Sequence, residues 1–210
     1  MVGKIALIDY GLGNLLSVRN ALEYCGGNVV ITNDCNEIYS ADQIILPGVG
    51  AFSYAMNALR KLSLIDVIKN SVHAGKPILG ICLGMQLLFN RSSEFGATDG
   101  LGILDGEVIK IPNDSGCKIP HIGWTEINPS NYSNNWQGTI LEGLSSGVST
   151  YFIHSYMAKP VNPDIIIAKC QYYDVLIPSV VQQNNIQACQ FHPEKSSEVG
   201  LLILSNFINQ

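Results

Sequence analysis

One stretch decides the prediction of the fold: residues 76–86 have the sequence KPILGICLGMQ. Its apolar start has the length of a buried strand, and the G-x-C-x-G core is the cysteine form of a nucleophile elbow, a tight turn from strand to helix. Glycines on both sides of the turn relieve steric clashes. The pattern predicts a strand over residues 77–81, a helix from 84 to about 90, and Cys82 projecting above the edge of a sheet.

The rest of the first half repeats this alternation. Short apolar runs with the length of buried strands are followed by longer stretches with apolar residues at helical spacing. Such alternation favours a parallel sheet with helices on both faces. The predicted strands are 4–9, 28–32 and 43–46, and the predicted helices are 14–25, 51–59 and 64–73.

The second half has a different pattern. From residue 100 to 156, short apolar runs lie between clusters of Gly, Pro, Asn and Ser, and the polar segment 129–147 is predicted to form surface loops. Further strands are predicted at 165–172, 179–183 and 187–191, before a closing helix at 198–209. We therefore expect one α/β domain over residues 1–210, with a mostly parallel central sheet and a small antiparallel extension.

Composition narrows the class of function. The 210 residues carry a formal net charge of −5, and 47% are hydrophobic, which is typical of a compact globular protein. Nucleic acid and anionic membranes need clustered Lys and Arg, so neither is expected as a partner. No apolar run is long enough to span a bilayer. The six cysteines lack metal-ligand spacing and close pairing, so we expect no metal, no disulfide framework and a cytoplasmic protein.

Cys82 is the candidate nucleophile. At the N-terminus of the predicted helix the partial positive charge favours the thiolate, which is the reactive form of cysteine. The backbone N–H of Leu83 can then point at an oxyanion that forms beside the sulfur. The alternative is an inert, buried cysteine in a structural turn, and this is how the other five cysteines are interpreted.

A candidate base lies in residues 190–195, which have the sequence QFHPEK. Strand periodicity would place His192 and Glu194 on one face, while Pro193 ends regular strand pairing. A histidine freed at a strand end can reach a neighbouring cysteine, and the carboxylate can orient its imidazole. Taken alone, without the elbow, His-x-Glu favours a surface turn with a hydrogen-bonded histidine.

A candidate oxyanion loop lies at residues 46–52, with the sequence LPGVGAF. Gly48 and Gly50 leave space for the backbone N–H of Val49 to approach a ligand, and they make rotation of that peptide sterically cheap. The alternative is an ordinary glycine-rich turn. The similar run DYGLGN at 9–14 lacks the third glycine of a dinucleotide loop, and no phosphate-binding loop is present, so no cofactor is expected.

Together, the elbow, the loop and the His-x-Glu segment resemble class I glutamine amidotransferases in order and spacing. Five runs, at 9–14, 47–52, 119–124, 151–156 and 192–196, resemble the glutaminase subunits of imidazole glycerol phosphate synthases. The resemblance implies a flavodoxin-like fold and hydrolysis of L-glutamine to glutamate and ammonia. It also implies a heterodimer with a cyclase (β/α)8 barrel, which uses the ammonia to make imidazole glycerol phosphate and aminoimidazole carboxamide ribotide in histidine biosynthesis.

The resemblance also implies roles for individual residues. Cys82, His192 and Glu194 match the catalytic triad, and Val49 and Leu83 match the oxyanion donors. The other matching positions are the glutamine pocket (Gly48, Gly50, Gln86, His154, Ser155 and Tyr156) and the partner interface or ammonia exit (Trp124 and Lys195).

The sequence departs from the family pattern at Thr125, where asparagine is usual, at Met157, and at Ala188-Cys189. These positions leave room for a paralogue that supplies ammonia to an amidotransferase acting on surface sugars. Three further alternatives are a cysteine peptidase or γ-glutamyl hydrolase, a stand-alone glutaminase, and a regulatory subunit without activity. The intact set of Cys82, His192 and Glu194 argues against the last.

Overall fold

The computed structural model describes residues 3–113, 116–130 and 136–210. Its α-helices are α1 (Leu15–Tyr24), α2 (Cys35–Ser40), α3 (Phe52–Lys61), α4 (Leu64–His73), α5 (Leu83–Leu87) and α6 (Ser197–Ile208). Its strands are β1 (Lys4–Ile8), β2 (Asn28–Thr32), β3 (Gln43–Leu46), β4 (Ile78–Ile81), β5 (Phe89–Ser92), β6 (Thr98–Asp99), β7 (Leu104–Lys110), β8 (His121–Pro129), β9 (Val148–His154), β10 (Tyr156–Pro160), β11 (Ile166–Tyr172), β12 (Val175–Gln183) and β13 (Ile186–Cys189). Short 3-10 helices span Pro163–Ile165 and Pro193–Lys195.

A nine-stranded sheet has the order β2-β1-β3-β4-β13-β12-β11-β8-β9. The first five strands are parallel, and their order is that of a doubly wound flavodoxin-like sheet. In such sheets, ligands bind beyond the carboxyl ends of the strands. The segments after β3, β4 and β13 hold the predicted oxyanion loop, nucleophile and base, so the topology places all three at one edge of the sheet.

The four inner parallel strands, β1, β3, β4 and β13, are buried on both faces, as the continuous apolar runs predict, whereas the edge strand β2 is only half-buried. Along β1, Ile5 and Leu7 belong to one core cluster and Ala6 and Ile8 to the other, because successive side chains of a strand point to opposite faces. The α/β fold class is thereby confirmed. The predicted strands at 28–32 and 43–46 and the helix at 64–73 are also confirmed, residue for residue.

The antiparallel part is larger than a small extension. Strands β12, β11, β8 and β9 continue the large sheet in antiparallel order, and a second sheet has the order β10-β7-β5-β6. Helix α5 ends at Leu87 instead of near residue 90, because Phe89 enters β5 and pairs with Leu104 of β7. The sequence analysis also missed α2, whose N-cap Asp34 accepts hydrogen bonds from the N–H groups of Asn36 and Glu37.

Two further predictions need correction. The segment 129–147 is not wholly a surface loop, since Trp136, Ile140 and Leu141 are buried in the core; residues 131–135 lie outside the described residues. Strand β13 ends at Cys189, so His192 and Glu194 do not lie on a strand. They flank Pro193 at the start of a 3-10 turn, because a proline N1 position suits a helical turn and cannot donate to a strand ladder.

Candidate active site

The elbow at Cys82 is tightly packed. Cys82 has φ +54° and ψ −109°, a conformation that few residues other than glycine adopt. A Cβ on Gly84 would overlap the carbonyl oxygen of Leu46, and one on Gly80 would lie 2.9 Å from the Cα of Met85. The G-x-C-x-G pattern therefore reflects two close backbone approaches, which hold the cysteine at a strained bend between β4 and α5.

A cavity lies above this bend, at the carboxyl edge of the parallel strands. Its wall includes the thiol-bearing residue and most of the predicted pocket residues, namely Val49, Gly50, Cys82, Leu83, Gln86, His154, Ser155, Tyr156, His192 and Lys195. Of the predicted residues, Gly48, Glu194 and Trp124 do not line it. Cys82 is therefore not sealed in the core, although only 5% of its surface is exposed.

His192 and Glu194 form a buried pair. The Nδ1 of His192 lies 2.7 Å from Oε1 of Glu194, and the two side chains are 3% and 1% exposed. A carboxylate only accepts hydrogen bonds, so Nδ1 carries the hydrogen. Burial by itself lowers the pKa of His192, but hydrogen bonds and charge from Cys82 and Glu194 outweigh it and raise the pKa to about 10. The pair therefore favours the imidazolium form beside the sulfur.

Cys189 and Cys82 lie close together but differ in their access to the cavity. Cys189 ends the neighbouring strand β13, and its carbonyl accepts a hydrogen bond from the N–H of Cys82 at 2.8 Å. Its side chain is fully buried and its thiol donates to the carbonyl of Phe191 at 3.5 Å. Burial raises the pKa of the Cys189 thiol well above its usual range. Cys189 is thus a structural thiol, whereas Cys82 borders the cavity.

The loop at 47–50 is anchored at both ends. The Tyr10 hydroxyl donates a hydrogen bond of 2.6 Å to the carbonyl of Pro47, and a Cβ on Gly48 would overlap that hydroxyl. Beyond the loop, the N–H of Phe52 donates to the carboxylate of Glu94 at 2.7 Å. Between these anchors lies Gly50, which has φ +98°. The glycines are needed for close approach at one position and for a left-handed backbone at the other.

Comparisons with known proteins show the family of the chain. Residues 6–210 match the family described as glutamine amidotransferase class-I. The chain belongs to this family. The amidotransferase is 44% identical over 211 residues to imidazole glycerol phosphate synthase subunit HisH 1 of Legionella pneumophila strain Lens, covering 99% of both chains. It is 47% identical over 208 residues to the HisH subunit of Aquifex aeolicus, covering 97% of this chain and 95% of that one.

Solved structures share the fold of the amidotransferase. A chain of PurLQS from Thermotoga maritima superposes with a TM-score of 0.73 at 18% identity, over 100% of this chain and 99% of that chain. The glutaminase domain of CTPS from Trypanosoma brucei gives a TM-score of 0.65 at 18% identity, over 99% of this chain and 94% of that chain.

Four residues in the wall of the amidotransferase cavity were missed by the sequence analysis: Asn14, Glu94, Pro120 and Ile153. Asn14 lies in the quoted run 9–14 and Pro120 in 119–124, so both had a signal in the motifs. Glu94 follows β5, whose first residues were predicted as helix, so nothing pointed to it. Gln190 was also missed, although its amide lies 3.8 Å from the sulfur of Cys82.

The mouth of the cavity has an apolar rim. Ile122 and Trp124 alternate along β8, facing Ile153 and Tyr151 of β9 in the ladder. Trp124 is 54% exposed, Ile122 55% and Ile153 41%, and the Lys195 ammonium lies 5.8 Å from the centre of the Tyr151 ring. Trp124 thus lies on β8, next to the edge strand β9, while Lys195 ends the 3-10 turn Pro193–Lys195, and the Tyr151 ring is close to both side chains.

Two other kinds of feature would be a metal-binding cluster and a membrane-spanning helix. Within residues 3–113, 116–130 and 136–210, no group of three or more His, Cys, Asp or Glu side chains is arranged to hold a metal ion. Among the helices of the same residues, none is both long and apolar enough to span a membrane.

Proposed function

We propose that Cys82, His192 and Glu194 are the catalytic triad of this glutamine amidotransferase and that it hydrolyses L-glutamine to glutamate and ammonia. The observation that carries the assignment is the buried His192–Glu194 pair, which stands behind a cysteine held at a strained elbow on the cavity wall. Nδ1 is occupied by the carboxylate, while the buried Nε2 is the nitrogen that interacts with the Cys82 side chain. Nε2 is therefore the nitrogen left to exchange a proton with sulfur.

The reaction follows from these roles. His192 takes the proton of the Cys82 thiol, and the thiolate attacks the side-chain carbonyl carbon of glutamine. The tetrahedral intermediate collapses as His192 returns the proton to the leaving nitrogen, which departs as ammonia and leaves a γ-glutamyl thioester. Water, deprotonated by His192, then attacks the thioester and releases glutamate and the thiol. Glu194 keeps the imidazole in one orientation and balances its charge throughout.

We assign the oxyanion donors to the N–H groups of Leu83 and Val49. Leu83 is the first residue of α5, so its N–H has no partner within the helix. Val49 lies on the cavity wall between two glycines, and rotation of its peptide would bring the second donor toward the substrate. One such donor typically stabilises the transition state by about 3 kcal/mol, so the orientation of this peptide alone would change the rate of hydrolysis by more than roughly a hundredfold.

The glutamine backbone would lie against the opposite wall. His154, Ser155 and Tyr156 supply polar groups there, and Gln86 keeps its amide oxygen available because both of its N–H groups are used elsewhere. Glu94 adds a carboxylate to the same cavity, where the α-ammonium group of an amino acid would find its counter-charge.

The ammonia would go to a cyclase (β/α)8-barrel subunit in a cytoplasmic heterodimer. Support comes from the relatives, which are named as subunits of imidazole glycerol phosphate synthase, and from the exposed apolar rim of Ile122, Trp124 and Ile153 beside the cavity mouth. Large exposed apolar side chains grouped beside a site are typical of protein interfaces. These relatives do not favour the alternative partner, an amidotransferase for surface sugars.

The test uses the complex with the cyclase subunit. Cys82→Ala is expected to abolish glutamine-dependent synthesis of imidazole glycerol phosphate and to preserve synthesis from free ammonia, because only the first reaction needs the thiol. Loss of both activities would assign Cys82 a structural role. If the cyclase and its ligand leave glutamate release by the wild-type chain unchanged, the assignment to histidine biosynthesis is wrong.

A further inference from the structure

One carbonyl oxygen connects the cavity wall to two hydrogen-bonded chains of side chains. The carbonyl of Tyr156 lies 2.9 Å from Nδ1 of His154 and 2.9 Å from Nε2 of Gln86. A carbonyl oxygen only accepts hydrogen bonds. His154 must therefore carry a hydrogen on Nδ1, and Gln86 must present its NH2 group rather than its oxygen.

The first chain runs outward from His154. Burial lowers the pKa of His154 to about 3, so the ring is neutral and its Nε2 has no hydrogen. Nε2 of His154 therefore accepts a hydrogen bond from Nδ1 of His121 at 3.0 Å. Nε2 of His121 is then also without hydrogen, because burial lowers the pKa of this ring to about 4, and it accepts from the hydroxyl of Thr125 at 2.8 Å. Both rings are fixed as Nδ1–H tautomers.

Stacking holds the middle of this chain in place. The His121 ring lies between Tyr172, with centroids 4.0 Å apart, and Phe152, with centroids 4.8 Å apart. Its interplanar angles to these two rings are 29° and 21°. The ring has little freedom to turn, so Nδ1 of His121 stays directed at His154 and Nε2 stays directed at the hydroxyl of Thr125.

The second chain runs inward from Gln86. Its Nε2 also donates to Oε1 of Gln190 at 3.0 Å, which turns the NH2 group of Gln190 toward the sulfur of Cys82 at 3.8 Å. Gln190 is fully buried and Gln86 is 5% exposed, so water does not compete for these bonds. A hydrogen-bond donor beside sulfur stabilises the thiolate form.

We propose that His121 and Thr125 are positioning residues of the glutaminase, which act on Cys82 through the Tyr156 carbonyl and the amides of Gln86 and Gln190. The Tyr156 carbonyl sets the tautomer of His154, and His154 sets that of His121. The Thr125 hydroxyl donates to the remaining nitrogen, Nε2 of His121, and so anchors the outer end of the chain. The Tyr156 carbonyl is then held where it orients both amides, so that Gln190 donates to the sulfur. Neither His121 nor Thr125 lines the cavity. The inference rests on the proposed glutaminase function of the same site.

Thr125 has a matched control directly across the ladder. Thr125 of β8 pairs with Thr150 of β9, whose side chain is fully buried and whose hydroxyl has no hydrogen-bond partner among the described residues. Thr125→Val and Thr150→Val make the same chemical change in the same strand pair, but only the first removes a donor from the chain. Thr125→Ser is the conservative variant that keeps the hydroxyl.

The experiment has two readouts on the full-length chain. Long-range 1H–15N spectra of 15N-histidine-labelled protein report the tautomer of each ring, with His121 and His154 assigned by single substitutions. The rate of alkylation of Cys82 by the glutamine analogue 6-diazo-5-oxo-L-norleucine, followed by intact mass, reports the reactivity of the thiol. The same rate is measured in the complex with the cyclase subunit.

We expect both rings of the wild type to be neutral Nδ1–H tautomers. Thr125→Val should keep the His121 tautomer, shift the 15N resonance of its Nε2 because that nitrogen loses its hydrogen-bond donor, and slow alkylation by roughly five- to tenfold, as expected when one net hydrogen bond is lost. Thr150→Val and Thr125→Ser should match the wild type. An Nε2–H tautomer at His154 in the wild type, or equal alkylation rates for Thr125→Val and Thr150→Val, would overturn the positioning role alone. A wild-type chain that is neither alkylated nor able to release glutamate would overturn the glutaminase function itself, and the positioning role with it, whatever the tautomers.

Discussion

The two halves of the large sheet contribute in different ways to the same cavity. The parallel half, from β2 to β13, ends in short connections that hold Cys82, His192 and the 47–50 loop within a few residues of a buried strand. The antiparallel half supplies Ile153 and His154 of β9 to the facing wall, and β9, the edge strand, and its neighbour β8 expose apolar side chains. In the proposed mechanism, the parallel half therefore carries the groups that make and break bonds, and the antiparallel half carries groups for recognition.

This difference has a physical origin. A parallel strand is hydrogen-bonded on both sides and buried on both faces, so the residue at its carboxyl end has little freedom. An edge strand has one free side and is available for contacts with another chain. We therefore expect substitutions in the parallel half to alter chemistry and stability, and substitutions in β8 and β9 to alter coupling to the partner.

The largest effect is expected in the parallel half, at His192. His192→Asn should lower glutamine hydrolysis in the complex by about 10³-fold, since general acid–base catalysis typically contributes 10²- to 10⁴-fold. Ammonia-dependent synthesis by the complex should persist. His73→Asn, at an exposed histidine near the end of α4, is the control and should leave both rates unchanged. If the His192→Asn variant keeps its glutaminase rate, His192 is not the general base.

Gly84→Ala should produce the next largest effect, on folding. Its Cβ would overlap the Leu46 carbonyl oxygen, which is backbone and cannot move aside, so we expect a loss of about 3 kcal/mol in the free energy of unfolding. Gly147→Ala in the antiparallel half is the comparison: φ is +85° but the nearest atom is 3.8 Å away, so only about 1 kcal/mol should be lost. Urea denaturation measures both, and equal losses would show that the two halves are packed alike.

Trp124→Ala addresses the antiparallel edge. It should weaken binding of the cyclase subunit by about 2 kcal/mol, the size typical of an interfacial tryptophan, and leave the stability of the free chain nearly unchanged because the ring is 54% exposed. Tyr24→Ala removes an 80% exposed aromatic ring at the end of α1, near the opposite edge of the parallel strands, and serves as the control. Calorimetric titration measures both, and equal affinities for the two variants would place the interface elsewhere.

The smallest effect is the pH dependence of the free energy of unfolding. Protonation of His154 in the antiparallel half and of His192 in the parallel half should change this free energy with opposite signs. Burial lowers the pKa of His154 to about 3, below the unfolded value near 6.5, so the unfolded chain binds more protons in this window and stability falls as the pH drops from 6.5 toward 3. Between pH 7 and 5, His154 should account for about 1–2 kcal/mol of the loss. His192 has a pKa raised to about 10, so its contribution is present below pH 6.5 and lost as the pH rises toward 10.

Urea denaturation across this pH range measures the dependence. His154→Gln should reduce the loss on the acid side, leaving the part due to His121, whose pKa burial lowers to about 4, and should not change the alkaline side. His192→Asn should reduce the loss on the alkaline side and leave the acid side as it is. An unchanged acid side in the His154 variant would mean that the protonation of this ring is not linked to folding.

The sequence predicted the parallel half closely and the antiparallel half only in outline. Continuous apolar runs such as 43–46 leave little choice for a buried parallel strand, and the elbow is recognisable from consecutive residues, although one of its glycines, Gly84, is required by close approach to Leu46 of another strand. The strand β5 could not be predicted in this way, because Phe89 joins it through pairing with β7, fifteen residues further along the chain. Glu94 and Gln190 were missed for a similar reason: their roles come from partners that are distant in sequence.

The anchored loop has one more consequence. Tyr10 fixes the chain at Pro47 and Glu94 fixes it at Phe52, so the segment between them cannot swing as a flap without breaking a hydrogen bond at 2.6 or 2.7 Å. Both anchors still allow a single peptide plane beside Gly50 to rotate about the chain direction. Gly50 already has a positive φ, a backbone conformation that only glycine adopts without steric cost. Such a turn sweeps little volume, and an enzyme controlled by it can be silenced and released without ever opening its cavity to bulk water.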